Sequence, residues 1–245
     1  MIKEEDTKIE IFDGKYLYAK LSGDIHQPLF IMVHGLAVDM KHGLYTQAVK
    51  WFSKKRYATL RFNLYGDEDD MRNMIDTTLA IHAEDIDLVV KHARQIGFKK
   101  VYIAGHSYGA ASILMTKDLD VDKISLWDPS YKISFKNSLD NKDVSTFIEK
   151  SNGYMMHWPK PVLIGKDMAN EAESLNWDTL AENIKTPMQI IYASNGHLEK
   201  GSRHYLNAAT VEKEIVEIAG ATHLFDDSDE VREKLFMETE RWFNQ

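Results

Sequence analysis

One short stretch in the middle of the chain constrains the fold more than any other. Apolar and β-branched residues at 101–104 lead into the motif Gly-His-Ser-Tyr-Gly at positions 105–109, and small residues suited to a helix start follow it. This is the G-x-S-x-G pattern in its expected setting between a strand and a helix. It predicts a sharp turn in which Gly105 and Gly109 let the backbones approach, while Ser107 points its hydroxyl beyond the sheet end.

The predicted turn makes Ser107 a candidate nucleophile. The helix that begins there directs unpaired N–H groups and the positive end of its dipole at developing negative charge. A serine hydroxyl also needs a base that removes its proton and an acid that orients that base. The alternative interpretation is an ordinary strand-to-helix turn that contains an incidental serine.

Strand and helix patterns alternate along most of the chain. The run at 28–33 is apolar without interruption, which is typical of a parallel strand buried on both faces. Further strands are predicted at residues 57–62, 101–104, 123–127, 186–193 and 211–219, and helices at 44–54, 78–97, 202–209 and near the C-terminus. We therefore predict an α/β fold with a doubly wound, mostly parallel sheet. An antiparallel N-terminal hairpin precedes it, because Asp13-Gly14 is a strong turn signal.

Residues 131–185 break this alternation. The segment is rich in Lys, Asn, Ser and Asp, and we predict an insertion of helices or a short hairpin within a single domain that spans residues 1–245. Its apolar side chains either line an acyl or aryl pocket or attach the insertion to the core; they are Phe135, Phe147, Tyr154, Met155, Met156 and Trp158.

Composition excludes several classes of protein. The 245 residues carry a net charge of -8, which favours neither nucleic acid nor an anionic membrane as a partner. The chain has no cysteine, so disulfides, zinc–thiolate sites and a cysteine nucleophile are excluded. The charged N-terminus and the lack of a long apolar run predict a cytoplasmic protein without a membrane segment. No phosphate-binding motif follows any strand, and the acidic run at 67–70 is typical of a solvated loop, so we predict neither cofactor nor metal.

The predicted strand ends gather groups that suit nucleophilic catalysis. Ligand sites in such sheets lie beyond the carboxyl ends of the strands. Ser107, Asp128 and His223 each follow a predicted strand, and so does the loop at 34–36. One sheet edge therefore receives a nucleophile, a carboxylate and an imidazole.

On these loops the chain resembles the α/β-hydrolase family over nearly its whole length. The matching features are His34-Gly35 after the first parallel strand and the segments 61–66, 105–109 and 219–223. The resemblance implies that Ser107 is the nucleophile and His223 the general base. It also implies that the backbone N–H groups of Leu36 and Tyr108 form the oxyanion hole, and that residues 131–185 stand where the family carries its cap.

The third member of the triad departs from the family pattern. The family usually places an Asp after the penultimate strand, where this chain has Asn195 and Gly196. Some members carry the acid one strand earlier, at a position that Asp128 matches, and Asp128 keeps the chain order Ser, acid, His. We predict Asp128 as the acid. Glu199 is the alternative, and a Ser–His dyad is a third possibility.

The other histidines have less specific roles in this comparison. His106 belongs to the turn motif itself, and the family gives His34 a structural role beside the oxyanion loop. His157 and His197 are candidates for substrate contact, although each is more often an ordinary surface or half-buried histidine.

The sequence thus predicts a serine hydrolase that cleaves carboxylic esters of small or medium acyl or aryl substrates through an acyl-enzyme. Two alternatives stay open: a thioesterase or a hydrolase of carbon–carbon or amide bonds with the same triad, and a catalytically silent relative that binds a small ligand. The expected partner is a small ester or thioester. The sequence does not indicate an oligomeric state.

Overall fold

The structure is a computed structural model that describes residues 3–11, 14–136, 145–157 and 160–245. The strands within these ranges are β1 (Glu4–Glu10), β2 (Tyr16–Ser22), β3 (Leu29–Val33), β4 (Ala58–Phe62), β5 (Val101–His106), β6 (Lys123–Trp127), β7 (Ser145–Ile148), β8 (Gly153–Met156), β9 (Val162–Gly165), β10 (Met188–Ala193) and β11 (Lys213–Ile218). The α-helices there are α1 (Gly43–Lys54), α2 (Leu79–Gln95), α3 (Tyr108–Leu114), α4 (Lys166–Ser174), α5 (Glu199–Ala208) and α6 (Asp229–Phe243). Short 3-10 helices cover Met74–Asp76, Glu149–Ser151 and Trp177–Asn183.

The main sheet confirms the predicted fold class. In the described chain it has eight strands in the order β1-β2-β4-β3-β5-β6-β10-β11. β2 pairs antiparallel with both β1 and β4, and each neighbouring pair from β4 to β11 is parallel. The sheet is therefore mostly parallel, with an antiparallel N-terminal hairpin. Asp13, the first residue of the predicted hairpin turn, lies outside the described residues.

The two faces of the sheet form two separate hydrophobic cores. Successive residues of a strand point to opposite faces, so Ile31 and Val33 enter one core while Phe30 and Met32 enter the other. Helices α2 and α3 cover the first face, and α1 and α6 cover the second. This two-sided burial explains why the central strands are apolar along their whole length.

The register of the sheet brings the loops after β3, β5, β6 and β10 to one edge. Val33 pairs with Gly105, His106 pairs with Trp127, and Trp127 pairs with Ile191. The residues that follow these pairs leave the sheet at nearly the same level. Since the strands are parallel, the side chains of these loops meet at one end of the sheet.

The described part of residues 131–185 contains a small antiparallel sheet and three helical segments, of which the 3-10 helix Glu149–Ser151 lies between two strands of that sheet. In the described part, the strand order is β7-β8-β9, and α4 and the 3-10 helix Trp177–Asn183 follow. Phe135 and Met156 are buried in the core, whereas Phe147 is exposed and packs against Tyr154 with ring centroids 5.0 Å apart. At least part of this apolar set therefore attaches the segment to the core. Trp158 lies outside the described residues.

Among the described residues, no helix has both the length and the apolar character needed to cross a membrane.

Candidate active site

Ser107 occupies a sharp turn between β5 and α3. Its backbone has φ 55° and ψ -117°, in the left-handed region of φ that residues with a side chain rarely adopt. Both flanking positions require glycine, because a Cβ at either one would overlap neighbouring backbone atoms. A Cβ at Gly109 would lie 2.4 Å from the His34 carbonyl oxygen, and one at Gly105 would lie 2.7 Å from the Ala110 nitrogen. The turn predicted from the motif is therefore present, with the strain expected of it.

Three side chains from three loops form a continuous hydrogen-bonded chain. Nε2 of His223 lies 2.8 Å from Oγ of Ser107, and Nδ1 of His223 lies 2.5 Å from Oδ2 of Asp128. His223 follows β11, Asp128 follows β6, and Ser107 follows β5. The sheet edge thus brings together the three residues that the sequence singled out.

The donor and acceptor in each of these two hydrogen bonds follow from the groups that face each other. An ionised carboxylate only accepts hydrogen bonds, so Nδ1 of His223 donates to Asp128. Nε2 is then left unprotonated and accepts from the Ser107 hydroxyl. The second carboxylate oxygen of Asp128 accepts from the Ala193 N–H at 3.2 Å, and the side chain is buried. The imidazole therefore presents its basic nitrogen to the serine proton.

The position of Asp128 explains the missing acid after β10. Asp128 has φ 43°, and its N–H donates to the Ile191 carbonyl at 2.6 Å, which turns its side chain toward the end of β10. A Cβ at Gly196 would lie 3.4 Å from Oδ2 of Asp128. The Asp128 carboxylate thus lies against the loop where the usual acid would originate, and Asn195 instead bonds through its side chain to the Gly220 carbonyl.

The alternative acid lies in a different environment. Glu199 is the first residue of α5, and its carboxylate accepts from the Arg203 guanidinium at 2.9 Å. The side chains of both residues are 53 % exposed. Among the described contacts, the carboxylate partner of His223 is Asp128.

The loop after β3 presents one backbone N–H between two that are already bonded. The Gly35 N–H donates to the Tyr45 hydroxyl at 3.0 Å, and the Ala37 N–H donates to the Tyr65 hydroxyl at 2.9 Å. For the Leu36 N–H between them, the described residues supply no partner. Two tyrosines thus fix the loop on either side of Leu36. The N–H of Tyr108, the first residue of α3, is likewise unpaired within the described chain, as expected for a helix start.

Two buried histidines brace this end of the sheet. The His34 ring donates from Nδ1 to the Gly35 carbonyl at 2.7 Å and accepts the Leu64 N–H at Nε2. The His106 ring donates from Nε2 to the His223 carbonyl at 2.7 Å. Burial lowers the pKa of His34 to about 4 and that of His106 to about 3. Both rings are therefore neutral at pH 7, and His106 holds the backbone of His223 in place.

A third buried histidine contacts two tyrosines of the site. Nδ1 of His82 lies 2.6 Å from the Tyr108 hydroxyl, and its ring stacks on Tyr65 with centroids 5.9 Å apart. Burial lowers the pKa of His82 to about 3. His82 thus contacts both the tyrosine that starts α3 and the tyrosine that bonds the loop after β3.

Sequence reasoning missed four side chains of this site, one of which is His82. Tyr45 and Tyr65 hold the loop around Leu36, and the Ser130 hydroxyl lies 3.1 Å from Oγ of Ser107. Tyr65 belongs to the segment 61–66 that carried part of the resemblance, so a signal for it was present. Tyr45 reads as an ordinary helix residue, and Ser130 reads as part of a turn after Pro129.

A cavity of about 810 Å³ lies next to the loop after β3. Its wall is formed by that loop, the loop after β4 and the residues that precede and begin β9, and includes Ala37, His42, Tyr65, Met74, Lys160 and Leu163. Ser107 and His223 are not part of its wall, so the cavity lies beside the reacting groups and not over them. The cavity lies between residues 160–163 and the loop that carries Leu36.

The remaining candidates lie away from the three-residue chain or at its edge. His157 bonds to Thr146 in the small sheet, whereas the exposed His197 ring lies 6.3 Å from the His223 ring. In the acidic run at 67–70, Asp70 bonds to Lys8 and Tyr18. Within the described ranges, no group of three or more His, Asp or Glu side chains is arranged to hold a metal ion.

Comparisons with known proteins give a match at the level of structure. The chain matches no family model and no curated protein sequence. It is similar to Est1E from Butyrivibrio proteoclasticus with bound ferulic acid, at TM-score 0.78 and 19% identity over 98% of this chain and 100% of that one. It is also similar to alpha/beta hydrolase domain-containing protein 10 from mouse, at TM-score 0.73 and 13% identity over 98% of both chains. Dienelactone hydrolase from Anabaena variabilis gives TM-score 0.69 and 14% identity over 99% and 97%.

The chain has the α/β-hydrolase fold. The full-length coverage of these structures confirms the fold that the sequence resemblance implied. At these identities the likeness concerns the fold, and the chemistry of the site has to be argued from its own residues.

Proposed function

We propose that the protein is a serine hydrolase that cleaves carboxylic esters through an acyl-enzyme on Ser107. The observation that carries the proposal is the hydrogen-bonded chain from Asp128 through His223 to Ser107, at 2.5 and 2.8 Å. In this chain the nucleophile, the base and the orienting acid are each within hydrogen-bond distance of the next, on loops fixed by the sheet.

In the first half-reaction, His223 takes the Ser107 proton at Nε2 while Oγ attacks the ester carbonyl. Asp128 holds the tautomer and stabilises the imidazolium that forms. The N–H groups of Leu36 and Tyr108 are proposed to bind the oxyanion, and one such donor contributes about 3 kcal/mol to transition-state binding. The imidazolium then gives its proton to the alcohol, which leaves. Ser107 remains as its acyl ester.

In the second half-reaction, water replaces the alcohol. His223 removes a proton from the water, whose oxygen adds to the acyl carbon. The same two N–H groups are proposed to bind the new oxyanion. The bond between the acyl carbon and Oγ of Ser107 then breaks, Oγ takes the proton from Nε2 of His223, and the acid is released. The cycle needs no group beyond the side chains and backbone already described.

The surroundings of the site support a small or medium substrate. The cavity beside the Leu36 loop, about 810 Å³, is in the range that accommodates small molecules. Est1E, to which the chain is structurally similar, was solved with ferulic acid bound. We propose that residues 131–185 act as a cap over this cavity and that the substrate is an ester with a small or medium acyl or aryl group.

The direct test is hydrolysis of p-nitrophenyl esters of graded chain length by the protein and by Ser107→Ala. We expect the substitution to lower kcat/KM by at least about 10⁴-fold, because it removes the nucleophile and leaves the fold intact. Ser174→Ala is the matched control, since Ser174 is exposed at the end of α4 and, within the described chain, its hydroxyl bonds only to the Glu171 carbonyl of its own helix. Full activity of Ser107→Ala would refute the proposal.

A further inference from the structure

Ser130 lies against the proposed nucleophile and has no part in the mechanism above. Its Oγ lies 3.1 Å from Oγ of Ser107. The backbone of Ser130 is fixed on both sides, since its N–H donates to the Ser107 carbonyl at 3.1 Å and its carbonyl accepts from the Tyr205 hydroxyl at 2.8 Å. The Ser130 hydroxyl is therefore held beside the reacting oxygen by the main chain.

The residue after Ser130 anchors the same loop. The Tyr131 ring stacks on His204 with centroids 5.2 Å apart and meets Tyr205 edge-on at 5.5 Å. Tyr131 also packs directly against Gly201, because a Cβ added to Gly201 would lie 2.3 Å from the Cβ of Tyr131. The loop thus packs tightly on α5, which fixes the place of Ser130.

The direction of the hydrogen bond between the two serines follows from the neighbouring bonds. Ser107 has a single hydroxyl proton, and Nε2 of His223, at 2.8 Å, accepts it, because Nδ1 already carries the proton shared with Asp128. Oγ of Ser107 can therefore act toward Ser130 only as an acceptor. Ser130 is the donor in the 3.1 Å contact.

We propose that the Ser130 hydroxyl is a catalytic hydrogen-bond donor to Oγ of Ser107 that speeds the deacylation step; this inference rests on the proposed serine-hydrolase function. In that step the bond between the acyl carbon and Oγ breaks, and its electron pair stays on Oγ. The imidazolium of His223 then returns to Oγ the proton that it took from water. The Ser130 proton stays on Ser130 throughout.

The effect falls mainly on deacylation because the hydrogen bond from Ser130 to Oγ of Ser107 is weak in the acyl-enzyme, where deacylation starts, but not in the free enzyme, where acylation starts. In the acyl-enzyme, Oγ is an ester oxygen, which is a weak acceptor. As the bond to carbon breaks, Oγ approaches an alkoxide, and a hydrogen bond to a charged acceptor is stronger. In the free enzyme the neutral Ser107 hydroxyl already accepts the bond, so acylation gains less. Only the interaction that strengthens in the transition state accelerates a step.

The test separates the two half-reactions by stopped-flow kinetics on p-nitrophenyl butyrate. For Ser130→Ala we expect kcat, which reports deacylation when that step is slower, to fall about tenfold, while kcat/KM, which reports acylation, changes by less than about threefold. The acyl-enzyme should then accumulate and be visible as a mass increase of one butyryl group during turnover. Ser130→Thr keeps the hydroxyl and should restore kcat.

Tyr205→Phe is the matched control, because it removes the bond to the Ser130 carbonyl, while the bond from the Ser130 N–H to the Ser107 carbonyl still holds the Ser130 hydroxyl beside Ser107. If Ser130→Ala acts only by loosening the loop, Tyr205→Phe will reproduce its effect, and that result overturns the inference. Unchanged kcat in Ser130→Ala, or an equal fall in kcat and kcat/KM, also overturns it. If Ser107→Ala abolishes turnover while one of these results overturns the role of Ser130, the proposed serine-hydrolase function stands. If Ser107→Ala keeps full activity, both proposals fail.

Discussion

Replacing the buried carboxylate of Asp128 by an amide tests the assignment of the acid. In Asp128→Asn, the amide oxygen has two competing positions. The Ala193 N–H, 3.2 Å from Oδ1, requires an acceptor there. If the amide oxygen satisfies it, the amide nitrogen faces Nδ1 of His223 and donates to it. The imidazole is then held with its proton on Nε2, and it cannot accept the proton of Ser107.

The expected loss follows from this change of tautomer. In a serine protease the equivalent substitution leaves the geometry intact and lowers kcat by about 10⁴-fold. We expect a similar loss of about 10⁴-fold in kcat for Asp128→Asn, which corresponds to about 5.4 kcal/mol of transition-state stabilisation. The assay is steady-state hydrolysis of p-nitrophenyl butyrate at pH 7 to 8. A thermal melt should show that the variant is folded, because the substitution keeps the size of the side chain.

Glu199→Gln is the matched control. Glu199 forms an exposed ion pair with Arg203, so its loss should change kcat by less than about twofold. If Asp128→Asn keeps more than about a tenth of the activity, the assignment of Asp128 is wrong. If Glu199→Gln loses more activity than Asp128→Asn, Glu199 takes its place. Full activity in both variants would favour a Ser–His dyad.

Two further predictions concern the buried groups around the site. Tyr65→Phe leaves the Ala37 N–H without its partner at 2.9 Å and loosens the loop around Leu36, so kcat should fall about tenfold with KM nearly unchanged; wild-type kcat would contradict the proposed role of this loop. Burial keeps three histidines neutral in the folded state, with pKa about 4 for His34 and about 3 for His82 and His106. The unfolded chain protonates them near pH 6.5, so stability falls as the pH drops from 6.5 toward these values. Urea titrations of His82→Phe between pH 5 and 6 should give a slope of unfolding free energy smaller by about 1.2 kcal/mol per pH unit than the wild type, and an equal slope would contradict the burial argument.

The fold and the hydrogen-bonded set of Asp128, His223 and Ser107 were predictable, because the sequence patterns that indicate them are local or follow from the topology of a parallel sheet. The turn at 105–109 requires glycines at fixed offsets, and the contacts of Gly105 and Gly109 give the physical reason. Asp128 and His223 were singled out because each follows a strand, parallel strands end at one edge, and the resemblance to the α/β hydrolases implied their roles. The structure places both within hydrogen-bond distance in the order Asp128, His223, Ser107.

The supporting contacts were not predictable because they join residues distant in sequence. The hydroxyl of Tyr45, on α1, reaches the Gly35 N–H, and that contact depends on how α1 packs on the sheet. Ser130 meets Ser107 because the loop after β6 turns back to it, where the Ser130 N–H donates to the Ser107 carbonyl across 23 positions of sequence. The small sheet within 131–185 has short strands in a polar segment, and such strands lack a clear alternation of apolar and polar residues.

The central claim is that Ser107 is a nucleophile activated by His223. The most direct measurement is reaction with a fluorophosphonate, followed by proteolysis and mass spectrometry of the peptides. We expect one adduct per chain, on Ser107, and a labelling rate at least about 10²-fold lower in His223→Ala. The absence of an adduct on the folded protein, or an adduct on another serine with Ser107 unmodified, would contradict the account.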